Sequence, residues 1–307
     1  MKNILTAIII TYNHKDTIEK TILSILEQDT TYPYTIQIWD DGSTDKTSEI
    51  CNEYAKKYPN KIIHILQKEN TFYRPLNKWS FYKNYKNIKT KYFYVIEGDD
   101  YLIDSSFFQM CIEYLEKNEK CAVVGARTHI INELEHKTSD TPEITKDIIV
   151  TIDDVGKDSY YFPLIQSRVY RNTYKDFLSG DLPMFLYHLT IGYCKIFNKI
   201  TSVYNFNGNG IWSELNQRIS DKLYQSTFYR MIQWYGYKHE KNWYRMLSTN
   251  NQKKIKYLSC IVGKKIAWKI WFYFLMVPTF GKESINKFWN YTNFTRKKMG
   301  EKFYENS

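Results

Sequence analysis

Apolar runs that stop abruptly at polar clusters fill the first hundred residues and leave few folds open. Leu5 to Ile10 is continuously apolar, the pattern of a strand covered on both faces, and it breaks at Thr11-Tyr12-Asn13-His14. Ile36 to Trp39 runs straight into Asp40-Asp41-Gly42-Ser43-Thr44-Asp45, and Ile62 to Leu66 makes a third run. Tyr92 to Ile96 is the fourth and ends at Glu97-Gly98-Asp99-Asp100. Between the runs lie helical stripes: Ile18, Ile22, Ile25 and Leu26; then Ile50, Tyr54 and Ala55 with Asp45 or Thr44 as N-cap; then a helix-like segment, Leu76 to Asn87. Such alternation predicts a parallel sheet with right-handed crossovers. In that sheet the strands end at one edge, where ligands sit, so the three polar clusters should meet there.

The cluster after the fourth strand carries its own chemistry. Three carboxylates within four residues, Glu97 to Asp100, are costly to bury unpaired. They suit a hard divalent cation, which takes oxygen ligands and can tie a phosphate to the protein. The plain alternative is a solvated acidic turn.

Further along, Ser106 to Asn118 is expected to be a helix and Cys121 to Ala126 a strand. Residues 132–158, polar and broken by Pro142 and Gly156, look like a loop or mobile insertion. Gln166 to Tyr170 suggests another strand, and Gly180-Asp181-Leu182-Pro183 precedes an apolar helical run, Met184 to Leu189. Lys199 to Tyr204 is strand-like and ends in an asparagine-glycine loop reaching Ser213. From about Glu214 the pattern turns helical, aromatic and basic.

The 307 residues allow one large domain or a domain with an appendage, and 43% hydrophobic content supports a sizeable core. Five scattered cysteines without a C-x-x-C pair argue against a disulfide framework or zinc site and fit a reducing compartment. The net charge of +10 is uneven: residues 251–307 hold twelve Lys/Arg against three Glu. A basic tail points to an anionic partner, lipid or nucleic acid. Within it, Lys264 to Pro278 combines lysines, tryptophans and an apolar stretch too short to span a bilayer. It is expected to lie in a membrane interface, with a helix packed on the rest of the protein as the alternative.

Taken together, IIITYNH at 8–14, IWDDGSTDKT at 38–47, IEGDDYL at 96–102, SGDLP at 179–183 and VYNFNGNGIWS at 203–213 resemble a bacterial family 2 glycosyltransferase with the GT-A fold. The resemblance covers roughly residues 4–213. It implies a Rossmann-like, mostly parallel α/β sheet flanked by helices over residues 1–213, with residues 214–307 as a helical, basic-aromatic extension. It implies an inverting transfer from a nucleoside-diphosphate sugar, a UDP-sugar by expectation, to a hydroxyl of a surface glycan such as lipooligosaccharide, capsule or a lipid-linked oligosaccharide.

By that resemblance Thr11, Tyr12 and Asp40 line the base and ribose, with Asn13 and Asp41 in the same clusters, and Asp99 and Asp100 touch the ribose and a Mn²⁺ or Mg²⁺ ion. The residue matching Asp181 is the general base; the alternative is a helix N-cap before Pro183. Related sequences often have Arg and His where this chain has Asn205 and Asn207, so Asn207 is expected to face the diphosphate or metal, unless it is an ordinary Asn-Gly turn. Arg74 is a candidate diphosphate contact or a plain exposed arginine, and Glu97 stands where many relatives have Asp. The six histidines show no H-x-x-x-H spacing and carry no catalytic or zinc assignment. The expected partners are the donor, a glycan or glycolipid acceptor and an anionic membrane surface through residues 255–300, and not nucleic acid. The expected place is the cytoplasmic face of the inner membrane. A nucleotidyltransferase and a basic nucleic-acid-binding protein are the competing readings, the second opposed by the acidic strand ends.

Overall fold

The computed structural model describes residues 2–70, 84–85, 87–155, 157, 162–173, 181–207, 240–247, 249–262 and scattered helical positions from there to 275. The chain divides into two compact units, one of residues 1–151 and 161–208, the other of residues 152–160 and 209–307.

The first unit is built on strands β1 (Leu5–Thr11), β2 (Tyr34–Asp40), β3 (Ile62–Leu66) and β4 (Tyr92–Glu97), with helix α1 (Ile18–Leu26) after β1 and α2 (Thr47–Lys57) after β2. The four strands are parallel in the order β3-β2-β1-β4, as the alternation predicts. Leu5, Ala7, Ile8 and Ile9 are all fully buried, so β1 is covered on both faces. Helix α1 lays Ile18, Ile22 and Ile25 into that core, each contributing roughly 1.5–3 kcal/mol by leaving water.

Beyond β4 come the short β5 (Tyr101–Leu102), helix α3 (Phe107–Lys117), the long β6 (Cys121–Asn132), β7 (Lys137–Asp140), β8 (Ile148–Val150), β9 (Arg168–Arg171), helix α4 (Asp181–Ile191) and β10 (Tyr193–Phe206). The full strand path is β3-β2-β1-β4-β9-β6-β10-β5. Strand β9 is antiparallel to both β4 and β6, pairing Tyr94 with Val169 and Gly125 with Arg168. Running antiparallel to β4, β9 starts near the end of that strand, so Arg168, its first residue, lies toward the carboxyl end of β4 while β6 continues past it.

Three expectations change. Residues 132–158 are not simply a loop: β7 pairs with β6, and β8 pairs with β10, giving that polar stretch ladder partners. The strand expected over Lys199 to Tyr204 begins six residues earlier, its apolar pattern blurred by register breaks after Tyr193, Ile196 and Ile200. The strand expected from Gln166 starts at Arg168, preceded by a 3-10 turn over Ile165–Ser167. The segment Leu76 to Asn87 falls mostly outside the described residues.

In the second unit, helices α5 (Glu240–Arg245) and α6 (Thr249–Val262) are followed by further helical residues. Ala267, Trp268, Trp271 and Phe272 are buried, with Trp268 edge-on to both Tyr244 and Trp271. These tryptophans pack inside the protein and do not stand out as interfacial anchors. Lys253, Lys254, Lys256, Lys265 and Lys269 are exposed. Among the described residues no helix is long and apolar enough to cross a membrane.

Candidate active site

Sheet register assembles the site. Thr11 pairs with Asp40 across β1–β2, and Ile10 pairs with Glu97 across β1–β4. The ladder runs one step past the strands on both sides, Asp41 N–H donating to Thr11 O and Gly98 N–H to Ile10 O, each at 2.9 Å. Three clusters separated by up to ninety residues are thus fixed by consecutive backbone hydrogen bonds.

The loops behind them are clasped. Asn13, in the left-handed region at φ 56°, accepts Thr44 N–H on Oδ1 at 2.8 Å and donates its own N–H to Ser43 Oγ at 3.0 Å. Lys15 N–H donates to Asp45 Oδ2 at 3.2 Å, while Oδ1 accepts Thr47 N–H at 2.8 Å and stabilises the start of α2. Asn13 therefore serves the loop architecture. Its neighbour Tyr12 is 38% exposed, a large ring offered to solvent at the strand edge.

Asp40 is fully buried, its carboxylate accepting Ser43 N–H and the Ser48 hydroxyl. His64 Nε2 stands 3.7 Å from its Oδ2, in ion-pair range. Burial pushes the Asp40 carboxyl up, and the His64 imidazole, the Ser48 hydroxyl and Ser43 more than reverse that, holding it below the usual range. Asp41 is buried beside it.

The turn after β4 is held from below by α1: Thr17 donates to Gly98 O at 2.9 Å, and Thr21 donates to Gly98 O at 3.0 Å and Asp100 O at 2.7 Å. Gly98 is required by crowding, since a Cβ there would meet His14 Nδ1 at 2.6 Å and Thr11 Oγ1 at 2.7 Å. The imidazole so accommodated has Nδ1 3.1 Å from Thr11 Oγ1 and Nε2 3.9 Å from Asp99 Oδ2. Histidine spacing along the chain gave no sign of this. Only the fold brings His14 to Asp99, and the asparagine-histidine step at a strand end was the one available hint.

Three acids crowd this turn. Glu97 is solvent-exposed, and its carboxyl is raised by the protein packed beside it and by the charges of Asp99 and Asp181. Asp100 is fully buried and raised well above the carboxylate range by burial, then by Asp99 and Glu97. Its Oδ1 accepts Asn205 N–H at 2.9 Å, while its Oδ2 has no hydrogen-bond partner. Asn207 Nδ2 reaches Asp99 Oδ2 at 3.4 Å, so the end of β10 closes over both aspartates. An orphaned buried oxygen among mutually repelling carboxylates fits a cation. Among the described residues no group of three His, Cys, Asp or Glu side chains has metal-holding geometry, so such an ion would need oxygens from a bound phosphate as well.

Asp181 opens α4 with its side chain 37% exposed. It is close enough to act electrostatically on Glu97 and to add, with Glu97, Asp100 and Asp99, to the rise that burial gives the Tyr204 hydroxyl. Arg168 Nη2 donates to its Oδ2 at 3.2 Å, and Leu182 N–H donates to its Oδ1 at 2.6 Å. Thr11, Tyr12, Asp40, Asp41, Asp99, Asp100, Asn207 and Asp181 thus belong to one edge. Arg74 lies outside the described residues, as does the loop from Gly208 onward.

Comparison with known proteins agrees with this picture. Over 213 residues the chain is 27% identical to an uncharacterised protein of Mycobacterium tuberculosis, matching 66% of this chain and spanning 59% of the relative. An uncharacterised glycosyltransferase of Mycoplasma pneumoniae is 32% identical over 118 residues, 37% of each chain. S. aureus TarS 1-349, solved in complex with UDP-GlcNAc, superposes at a TM-score of 0.54 with 13% identity, covering 89% of this chain and 90% of that one. A mannosyltransferase of Pyrobaculum calidifontis, solved with GDP-Man and Mn²⁺, superposes at 0.52 with 11% identity, covering 90% and 84%. These likenesses identify the fold as GT-A. The sequence pattern of glycosyl transferase family 2 matches residues 6–201, and the chain belongs to that family.

Proposed function

We propose that the protein is an inverting glycosyltransferase using a nucleoside-diphosphate sugar, a UDP-sugar in the first instance, and delivering the sugar to a hydroxyl of a cell-surface glycan or its lipid-linked precursor. The observation that carries this reading is Asp181, part-exposed and close enough to Glu97 to act on it, at the edge where Thr11, Asp40 and Glu97 end their strands and Asp99 follows in the turn. Tyr12, Asp40 and Asp41 are suited to the nucleoside, and Asp99, Asp100 and Asn207 to the diphosphate end.

The acceptor oxygen forms the new bond at the anomeric carbon as the bond to the diphosphate oxygen breaks. The electron pair leaves with the nucleoside diphosphate, and the hydroxyl proton passes to Asp181. A base so placed contributes on the order of 10²–10⁴-fold in rate. A Mn²⁺ or Mg²⁺ ion held by Asp99 and Asp100, with Asn207 beside them, would offset charge on the departing diphosphate.

The ligands bound by the structural neighbours, UDP-GlcNAc and GDP-Man with Mn²⁺, support testing both nucleotide classes. In a thermal-shift screen of UDP- and GDP-sugars, one nucleotide should raise the melting temperature and do so more with Mn²⁺. Indifference to every nucleotide overturns the reading.

Attachment to the cytoplasmic face of the membrane rests on charge alone. Exposed Lys253, Lys254, Lys256, Lys265 and Lys269 favour an anionic lipid surface, worth about 1 kcal/mol per lysine near it. Cosedimentation with anionic vesicles that survives 0.5 M salt, or matches that with neutral vesicles, rejects it.

A further inference from the structure

Arg168 is the feature of this edge that the proposed chemistry leaves unused. Its side chain is completely buried, with the guanidinium carbon 4.7 Å from the Phe162 ring centroid, 5.2 Å from Phe185 and 5.8 Å from Tyr170. A guanidinium cannot shed its charge to escape such a place, so it needs an anion. Among the described residues Asp181 is the only carboxylate within ion-pair distance. Nη2 donates to Asp181 Oδ2 at 3.2 Å and Nη1 approaches the Asp181 carbonyl at 3.4 Å, while Nε has no partner. One side chain therefore grips both the carboxylate and the backbone of a single residue.

We propose that Arg168 is a positioning residue for Asp181: by holding both its carboxylate and its backbone carbonyl it fixes the direction of the carboxylate. This rests on the reading of Asp181 as the base. Oδ2 is held by Arg168 and Oδ1 by Leu182 N–H, while the side chain stays 37% exposed and so open to an acceptor hydroxyl.

The test uses the full chain and whichever sugar nucleotide among UDP-GlcNAc, UDP-glucose, UDP-galactose and GDP-mannose it hydrolyses fastest, water standing in for the acceptor. For Arg168→Met the expected result is KM for the nucleotide within twofold of wild type and kcat at least tenfold lower. Arg168→Lys should recover part of kcat. Unchanged kcat overturns the proposal, as does a rise in KM alone. Loss of the base reading is separate: it shows as wild-type turnover in Asp181→Asn. A substrate-free arm measures melting of wild type, Arg168→Met, Asp181→Asn and the double variant. Asp181→Asn should lower the melting temperature in the wild-type background and much less in the Arg168→Met background, whereas equal losses in both deny that the pair is coupled.

Discussion

Asn205 gives its backbone N–H to Asp100 Oδ1 at 2.9 Å, tying the end of β10 to the turn after β4 across 105 residues of chain. The other oxygen of Asp100 is buried and unpartnered, and burial with the charges of Asp99 and Glu97 drives that carboxyl far above the usual range. Asp100 therefore anchors β10 with one oxygen and leaves the other for a counter-ion.

Two substitutions separate these roles. Asp100→Asn keeps an acceptor for Asn205 while removing the charge, so in EDTA it should melt at or above wild type. The stabilisation by Mn²⁺ with nucleotide should fall away. Asp100→Ala also strands the Asn205 N–H, costing about 1–3 kcal/mol of stability. Differential scanning calorimetry of both variants with and without Mn²⁺ checks this, and full Mn²⁺ stabilisation in Asp100→Asn removes Asp100 from the ion.

Gly98→Ala drives a methyl against His14 and Thr11, with contacts of 2.6 and 2.7 Å that neither side chain can fully relieve. A loss of about 1–3 kcal/mol in urea unfolding is expected, the range for overpacking. Because His14 moves with it, nucleotide affinity should drop as well, and calorimetric titration reads that separately.

Asn13→Gly retains access to the left-handed backbone but loses the acceptor for Thr44 N–H, while Asn13→Ala loses both. Alanine should therefore be the worse change, by about 1 kcal/mol from the αL conformation alone. Equal denaturation midpoints for the two would show that backbone strain at this loop is immaterial.

His188 on α4 is completely buried, its Nδ1 2.7 Å from Met184 O and Nε2 3.2 Å from Arg171 O. Burial drives the imidazole down to about 4, Arg168 adding to this and the two carbonyls opposing it. A folded value below the unfolded one of about 6.5 means that protonation favours the unfolded chain. The stability tied to neutral His188 is thus complete above roughly pH 6.5 and is lost as pH falls toward 4, by up to about 3 kcal/mol. In His188→Gln this part of the acid sensitivity should vanish, and urea midpoints followed from pH 7 to 4 in both proteins check it. Identical slopes would assign the acid loss elsewhere.

Much of the edge is legible from the chain because each cluster directly follows an apolar run, and parallel pairing then forces Thr11, Asp40 and Glu97 together. The ladder strands over 132–158 are not legible: Lys137–Asp140 is wholly exposed, so no burial pattern marks it. Register breaks hide the start of β10 in the same way. The tryptophans near residue 270 show a different limit, since an aromatic-basic composition suits a lipid interface and a packed helix equally.

By itself the sequence determined the parallel half of the sheet, the acids at its carboxyl edge and the family, all of which follow from local period and adjoining residues. Tertiary structure alone decided that Arg168 faces Asp181, that His14 faces Asp99 and that Asn205 and Asn207 close over the aspartates. Apart from β9 and the start of α4, these partners lie on segments far apart in the chain. Their meeting depends on strand direction and register, which side-chain periodicity does not encode.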